Sequence, residues 1–160
     1  MKYTRFEELP VWQAAITLAE RVFRLTADKS FQAQGDLRSQ LQRATLSISN
    51  NVAEGFERGT TQELLTFLYI ARGSSGEVRS MLYLLERLDP FEDLRSEISD
   101  LKLLAESIAR QLRAWADSLQ NSDIKGQQYL TDKVRQQGQR QHETAAFMAE
   151  LRRIRHGEKP

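Results

Sequence analysis

The hydrophobic positions of this chain repeat at helical spacing in four long stretches. The first stretch opens at Leu9-Pro10, where the missing amide donor of proline does no harm at a helix start. Its apolar face consists of Val11, Ala15, Leu18, Val22 and Leu25, widened by Trp12, Ala19 and Phe23. The polar stretch from Thr26 to Gly35 predicts a loop after this helix.

A second helix is predicted to begin near Asp36, because aspartate is a favoured residue at a helix N-cap. Gly59 is expected to end it. The apolar stripe of this helix consists of Leu37, Leu41, Ala44, Ile48, Asn51 and Gly55. The stripe therefore ends in an amide and a glycine.

The third helix is predicted from Thr60, which forms a capping box with Glu63, to Leu88, just before Asp89-Pro90. Its first apolar seam consists of Leu64, Leu68, Ala71, Ser75, Val78, Leu82 and Leu85. Its second seam consists of Phe67, Ile70, Ser74, Glu77, Met81, Leu84 and Leu88. A surface helix needs one apolar stripe, so the second predicts contact with another subunit or with the C-terminal tail.

A fourth helix is predicted from about Pro90 to Leu119. Its seam keeps an alternating four-three spacing through Leu94, Ile98, Leu101, Ala105, Ile108, Leu112, Trp115 and Leu119. Four long helices with short connections predict an all-α, antiparallel up-and-down four-helix bundle over residues 1–120.

Residues 121–160 have a different composition. A linker is predicted first, rich in Gln127, Gln128, Gln136, Gln137, Gln139 and Gln141. A short basic amphipathic helix is predicted next, with Phe147, Met148, Leu151 and Ile154 on one side and Arg152, Arg153 and Arg155 in its last turn. This helix either packs back on the bundle or frays, or it docks a neighbouring subunit, an RNA or a protein.

Composition limits the classes of function. The 160 residues include no cysteine, which excludes disulfides and cysteine-based zinc sites. No apolar run approaches the roughly 20 residues of a membrane span, and the N-terminus lacks a signal-peptide core, so a cytoplasmic location is expected. The net charge is only +1, so any RNA-binding surface must come from local clustering of basic residues.

Two separated motifs carry a resemblance to a known family. Residues 43–58 read RATLSISNNVAEGFER, and residues 71–77 read ARGSSGE. They resemble the four-helix-bundle family of proteins encoded in intervening sequences of bacterial 23S ribosomal RNA, whose fold also includes the accessory protein of diversity-generating retroelements. The resemblance covers about residues 5 to 119. It implies a homo-oligomeric ring, typically a pentamer, and the retroelement relative binds RNA and a reverse transcriptase.

The polar residues of these motifs predict a structural network, because a buried carboxylate needs a partner. We expect Arg43 or Arg58 to pair with Glu54 or Glu77, and Asn51 and Ser74 to complete the hydrogen bonds. Each glycine costs a helix about 1 kcal/mol relative to alanine. Close approach of another backbone is therefore expected at the two glycines of the third helix, Gly73 and Gly76, and close packing is expected at Gly55 as well.

A catalytic interpretation is weaker. General acid/base chemistry by Glu54 and Glu77 would need a water-accessible pocket and separated pKa values. A di-iron site would need Glu-x-x-His pairs, whereas the two histidines, His142 and His156, lie in the tail. No P-loop, dinucleotide fingerprint or nucleophile motif is present. We therefore expect no enzymatic activity, no metal and no cofactor.

Three pairs of arginines are candidates for RNA binding, because the members of each pair share a helix face: Arg21 and Arg24, Arg72 and Arg79, and Arg110 and Arg113. A ring would repeat each pair around its axis. The expected function is a homo-oligomeric scaffold that binds RNA or a nucleoprotein such as a reverse transcriptase complex. The alternative is a protein-interaction module that uses the ring and the C-terminal helix without nucleic acid.

Overall fold

The computed structural model describes residues 3–58 and 60–121, and its long elements there are four α-helices. They are α1 (Pro10–Leu25), α2 (Gly35–Glu57), α3 (Thr61–Leu85) and α4 (Arg95–Gln120). Three short 3-10 helices span Phe6–Glu8, Lys29–Phe31 and Asp89–Leu94. The all-α prediction is confirmed for this part of the chain. The predicted linker and C-terminal helix lie outside the described residues.

Helix α3 makes the most extensive helix–helix contacts of the bundle. It packs most extensively against α2 and α4, and α1 closes the opposite side by packing on the same two helices. Every residue of the first α3 seam is buried, including the polar Ser75, whose Oγ donates to the Ala105 carbonyl of α4 at 2.7 Å. The α4 seam is buried from Ile98 to Leu112. The single core predicted from helical spacing is therefore present.

The predicted start of α2 near Asp36 is confirmed within one residue, but the predicted capping role of Asp36 and the predicted start of α4 are wrong. Asp36 lies inside the first turn of α2, and the residue at the N-cap is Gln34, which makes no capping hydrogen bond through its side chain. Pro90 does not open α4, because the segment Asp89–Leu94 forms a tighter 3-10 helix before the α-helix begins at Arg95. Thr60 does cap α3, since its Oγ1 accepts from the Glu63 amide at 3.3 Å.

The connections at one end of the bundle are held together by an aromatic contact. The stretch predicted as a polar loop from Thr26 to Gly35 contains Phe31, which is almost completely buried. Its ring meets that of Phe91 edge to face, with 4.8 Å between the centroids. The two phenylalanines join the α1–α2 connection to the α3–α4 connection.

A search of the described helices for membrane spans found none that is both long and apolar enough.

Candidate functional site

The predicted polar network exists only in part, and a residue outside the predicted set holds it together. The Asn51 amide donates to the Ser47 carbonyl at 2.6 Å and to Ser47 Oγ at 3.0 Å. Ser47 Oγ in turn lies 2.8 Å from Ser74 Oγ, which links α2 to α3. Ser74 is buried and Asn51 is half-buried. This chain of neutral groups fixes the contact between the two helices without any charge.

The charged members of the predicted network are on the surface. Arg58 and Glu54 form an ion pair at 2.6 Å, but both are about half exposed and lie one turn apart on α2. Arg43 donates to Ser39 at 2.6 Å, and no ion pair joins Arg43 or Glu77 to the residues of the described ranges. Both are exposed. The premise of a buried carboxylate that needs a cation was therefore wrong, because the position of Glu77 on α3 faces solvent.

The three glycines predicted for close packing differ in their surroundings. A Cβ atom at Gly55 would lie 2.7 Å from Phe67 Cβ and 3.1 Å from a methyl group of Leu64, so α2 and α3 meet here without room for a side chain. A Cβ atom at Gly73 or Gly76 would meet nothing within 4 Å. Close packing is confirmed for Gly55. The described residues of the same chain do not approach Gly73 or Gly76, which lie on the outer side of α3, so close approach of another chain's backbone at these two glycines stays a prediction.

The second apolar seam of α3 is largely exposed. Ile70 is 45% exposed and Leu84 is 48% exposed, while Phe67 and Met81 are half-buried. Beside this seam, a shallow groove between α2 and α3 has a volume of about 350 Å³ and is lined by Gln40, Arg43, Ala44, Glu77, Ser80 and Met81. Within one chain, the described residues leave this apolar stripe without a covering element.

Four of the six candidate arginines lie along the contact between α3 and α4. Arg79 and Arg110 share Glu106, at 3.9 and 2.7 Å. Arg113 lies 3.6 Å from Asp117. Arg72 has its guanidinium 6.0 Å from the centroid of the Tyr69 ring and forms no ion pair with a described residue. Tyr69 accepts a hydrogen bond from Gln120, so the stretch of α3 from Tyr69 to Arg79 lies beside the stretch of α4 from Glu106 to Gln120. We call these four arginines with Glu106 and Asp117 the α3–α4 basic face.

The remaining two arginines do not join this face. Arg21 makes a two-point contact with Glu97 of α4, at 2.9 and 2.8 Å, and lies 3.6 Å from Asp100. Arg24 is exposed, and Glu20 lies 3.9 Å away. Because Arg21 is already neutralised by two carboxylates, it has little charge left for a phosphate.

The described residues hold no group of three or more metal-ligating side chains that could bind an ion. Both histidines are outside the described ranges. Glu54 and Glu77, the pair considered for acid/base chemistry, are both exposed.

The bundle therefore has two exposed surfaces along α3, which are the second apolar seam and the α3–α4 basic face. The family model described as 23S rRNA-intervening sequence protein matches residues 7–114. The chain belongs to this family. A search of curated proteins found no match.

The match confirms the predicted resemblance to the 23S rRNA-intervening sequence protein family, while the predicted relation to the retroelement accessory protein stays a prediction. It spans all of α1, α2 and α3 and most of α4. All six candidate arginines and the Asn51–Ser47–Ser74 chain lie within it. The C-terminal tail lies beyond the matched residues.

Two features of the chain were not predicted from its sequence. Ser47 was quoted in the first motif but was not assigned to the network, although its four-residue spacing from Asn51 signals a contact on one helix face. The tyrosines beside the arginines were also missed. Tyr69 lies three residues before Arg72, and Tyr83 lies four residues after Arg79. These residues form a third row along α3, separate from its two apolar seams.

Proposed function

We propose that this protein is a non-enzymatic subunit of a homo-oligomeric ring, an antiparallel up-and-down bundle assembled in fives, that binds RNA on its α3–α4 basic face. One observation carries the proposal. Helix α3 exposes an apolar seam toward α2 and arginines toward α4, so a single helix offers both an assembly surface and an anion-binding surface.

The assembly part of the proposal rests on the exposed seam. Ile70 and Leu84 each leave nearly half of an aliphatic side chain in contact with water, 14 residues apart on the same side of α3. Burial of apolar area is worth about 25 cal/mol per Å². Exposed apolar patches rimmed by polar groups mark sites of protein association. A second copy of the chain would cover this seam.

The RNA part rests on charge. The α3–α4 basic face carries four arginines against two carboxylates, although the first 120 residues as a whole carry 15 basic and 17 acidic side chains. The basic charge is therefore concentrated locally. A closed ring repeats this face in every subunit. Phosphate contacts made by such a face release counterions, so binding should weaken steeply as salt is added.

In this proposal the ring acts as a scaffold within a cytoplasmic nucleoprotein complex. The partner bound with the RNA would be a protein of a ribonucleoprotein complex, such as a reverse transcriptase. This part rests on the family resemblance and on the exposed surfaces together, as an analogy between fold and function.

The second candidate is a protein-interaction module that holds its partner without nucleic acid. It is favoured by the pairing of Arg79, Arg110 and Arg113 with carboxylates of the same chain, which weakens the field of the basic face. Here the ring and the C-terminal helix would supply the contacts.

Native mass spectrometry of freshly purified protein, with and without ribonuclease treatment, tests both. A mass near five times 18.5 kDa, plus an increment that ribonuclease removes, is the expected result. A bare ring that also fails to bind added RNA at low salt would favour the protein-interaction module. A monomer at every concentration would contradict the assembly proposal.

A further inference from the structure

A symmetric row of side chains follows the edge of α3 that faces α4. It reads Tyr69, Arg72, Gly76, Arg79 and Tyr83, with alternating three- and four-residue spacing. The two tyrosines are 14 residues apart, which is about 21 Å along a helix. The two tyrosine residues are 42% and 46% exposed. An aromatic side chain thus stands at each end of the row, with arginines between.

Each tyrosine is accompanied by a cation and held in place. The Arg72 guanidinium lies 6.0 Å from the centroid of Tyr69, and Tyr69 accepts a hydrogen bond from Gln120 at 2.7 Å. Lys102 Nζ lies 4.3 Å from the centroid of Tyr83. Both cations are within the distance of a cation–π contact. The rings are therefore oriented by contacts from α4 and from the next turn of α3.

The centre of the row is open. Gly76 has no side chain, and a Cβ atom built there would meet nothing within 4 Å. A ligand that spans the two tyrosines can therefore lie close to the α3 backbone at this point. The charge is unevenly distributed along the row, because Lys102 also donates to Glu86 at 2.6 Å, whereas Arg72 has no carboxylate partner in the described ranges. The Tyr69 end is the more electropositive one.

We propose that this row binds single-stranded RNA in preference to duplex RNA, with bases stacked on Tyr69 and Tyr83 and the intervening phosphates held by the arginines. The proposal rests on the proposed RNA-binding function and specifies its ligand. Exposed aromatic rings stack with any unpaired base, and such stacking is worth about 1–3 kcal/mol per base. Bases inside an A-form duplex are already stacked on each other, so a duplex offers the row only its phosphates.

The test is fluorescence anisotropy of the full chain with an unstructured oligouridine of about 12 nucleotides, a length within the site sizes of single-strand binding folds. A duplex of the same length is the comparison probe. The variant is Tyr69→Leu/Tyr83→Leu, which keeps apolar bulk but removes the rings. Its matched control is Tyr69→Phe/Tyr83→Phe, which keeps the rings and loses the same Gln120 hydrogen bond.

The wild-type chain and the phenylalanine variant should bind oligouridine at least about tenfold more tightly than the leucine variant, the effect of losing one stacked base or more. Duplex affinity and the salt dependence should not differ among the three, because the arginines are unchanged. Equal oligouridine affinity of the leucine and wild-type chains, or equal wild-type affinity for both probes, would overturn the inference while leaving RNA binding intact. Failure of the wild type to bind either probe would instead refute the proposed RNA function.

Discussion

Arg21 of α1 donates two hydrogen bonds to the carboxylate of Glu97 of α4, from Nε to Oε1 at 2.9 Å and from a terminal nitrogen to Oε2 at 2.8 Å. This two-point contact joins α1 to α4 through two residues that are 76 positions apart in sequence. Its geometry is the favourable one for an arginine–carboxylate pair. The sequence predicts an RNA-binding role for Arg21, whereas in the structure its side chain joins α1 to α4.

Replacing Glu97 with glutamine should lower the free energy of unfolding by about 1 kcal/mol near neutral pH, the upper end for pairs that water partly screens. The hydrogen bond from Arg21 lowers the pKa of Glu97, against the opposing effect of burial. A carboxyl group with a depressed folded-state pKa adds stability above its unfolded pKa, about 4.3 for glutamate, and loses it as the pH falls toward the folded value.

Urea unfolding of both proteins between about pH 7 and pH 3 checks this expectation. The difference between wild type and Glu97→Gln should be largest near neutrality and should shrink below about pH 4.3. The matched control is Glu20→Gln, which removes an exposed partner 3.9 Å from Arg24 and should change little. A difference that is constant over the whole pH range would show that the Glu97 charge is not its source.

Replacement by alanine should lower the stability of the protein at Gly55 and raise it at Gly76. Gly55→Ala forces a Cβ atom to within 2.7 Å of Phe67 Cβ, and such overpacking costs about 1–3 kcal/mol, more than the gain in helix propensity. Gly76→Ala meets nothing within 4 Å and should stabilise the helix by about 1 kcal/mol. Thermal unfolding of the two variants gives the comparison. A loss of stability in Gly76→Ala would mean that another chain packs against that turn.

The side chain of Thr60 caps the start of α3, and substitutions at Thr60 measure how much this cap contributes to stability. Thr60→Ala removes the oxygen that accepts from the Glu63 amide and donates to the Glu63 carboxylate at 2.5 Å, and it should cost about 1 kcal/mol. Thr60→Ser keeps that oxygen and should cost only a fraction as much. Chemical denaturation of the three proteins measures the difference. Equal stability of the alanine and serine variants would indicate that the cap does not contribute.

Regular spacing explains why the helices could be predicted from the sequence. Most residues predicted for the first α3 seam and for the α4 seam are buried, because residues three and four apart must share a helix face. Helix ends were less predictable. Asp36 has a side chain suited to capping, but α2 begins at Gly35 and the residue at its N-cap is Gln34. Asp89-Pro90 is compatible with the start of a 3-10 helix as well as with the end of an α-helix.

The candidate site could be predicted only in part, because spacing does not reveal which face of a helix meets solvent. Glu77 and Ser74 belong to the same predicted seam, yet Ser74 is buried against α2 and Glu77 is exposed. Contacts between distant segments have no local signal at all. The pairing of Arg21 with Glu97 and the edge-to-face contact of Phe31 with Phe91 depend on how the four helices pack, which neither local stretch of sequence can indicate alone.

The exposed seam of α3 leads to a prediction about assembly. Ile70→Gln/Leu84→Gln replaces two half-exposed aliphatic side chains with a polar residue that is also a good helix former. Such surface substitutions change the stability of a subunit by about 0.5 kcal/mol or less. In the proposed ring, however, the same side chains are buried between copies, and the variant should run as a smaller species by size-exclusion chromatography with light scattering. Leu103→Gln is the matched control, since Leu103 is 63% exposed on α4 and lies away from the seam. The control should keep the wild-type mass, and a double variant that also keeps it would show that this seam does not join the subunits.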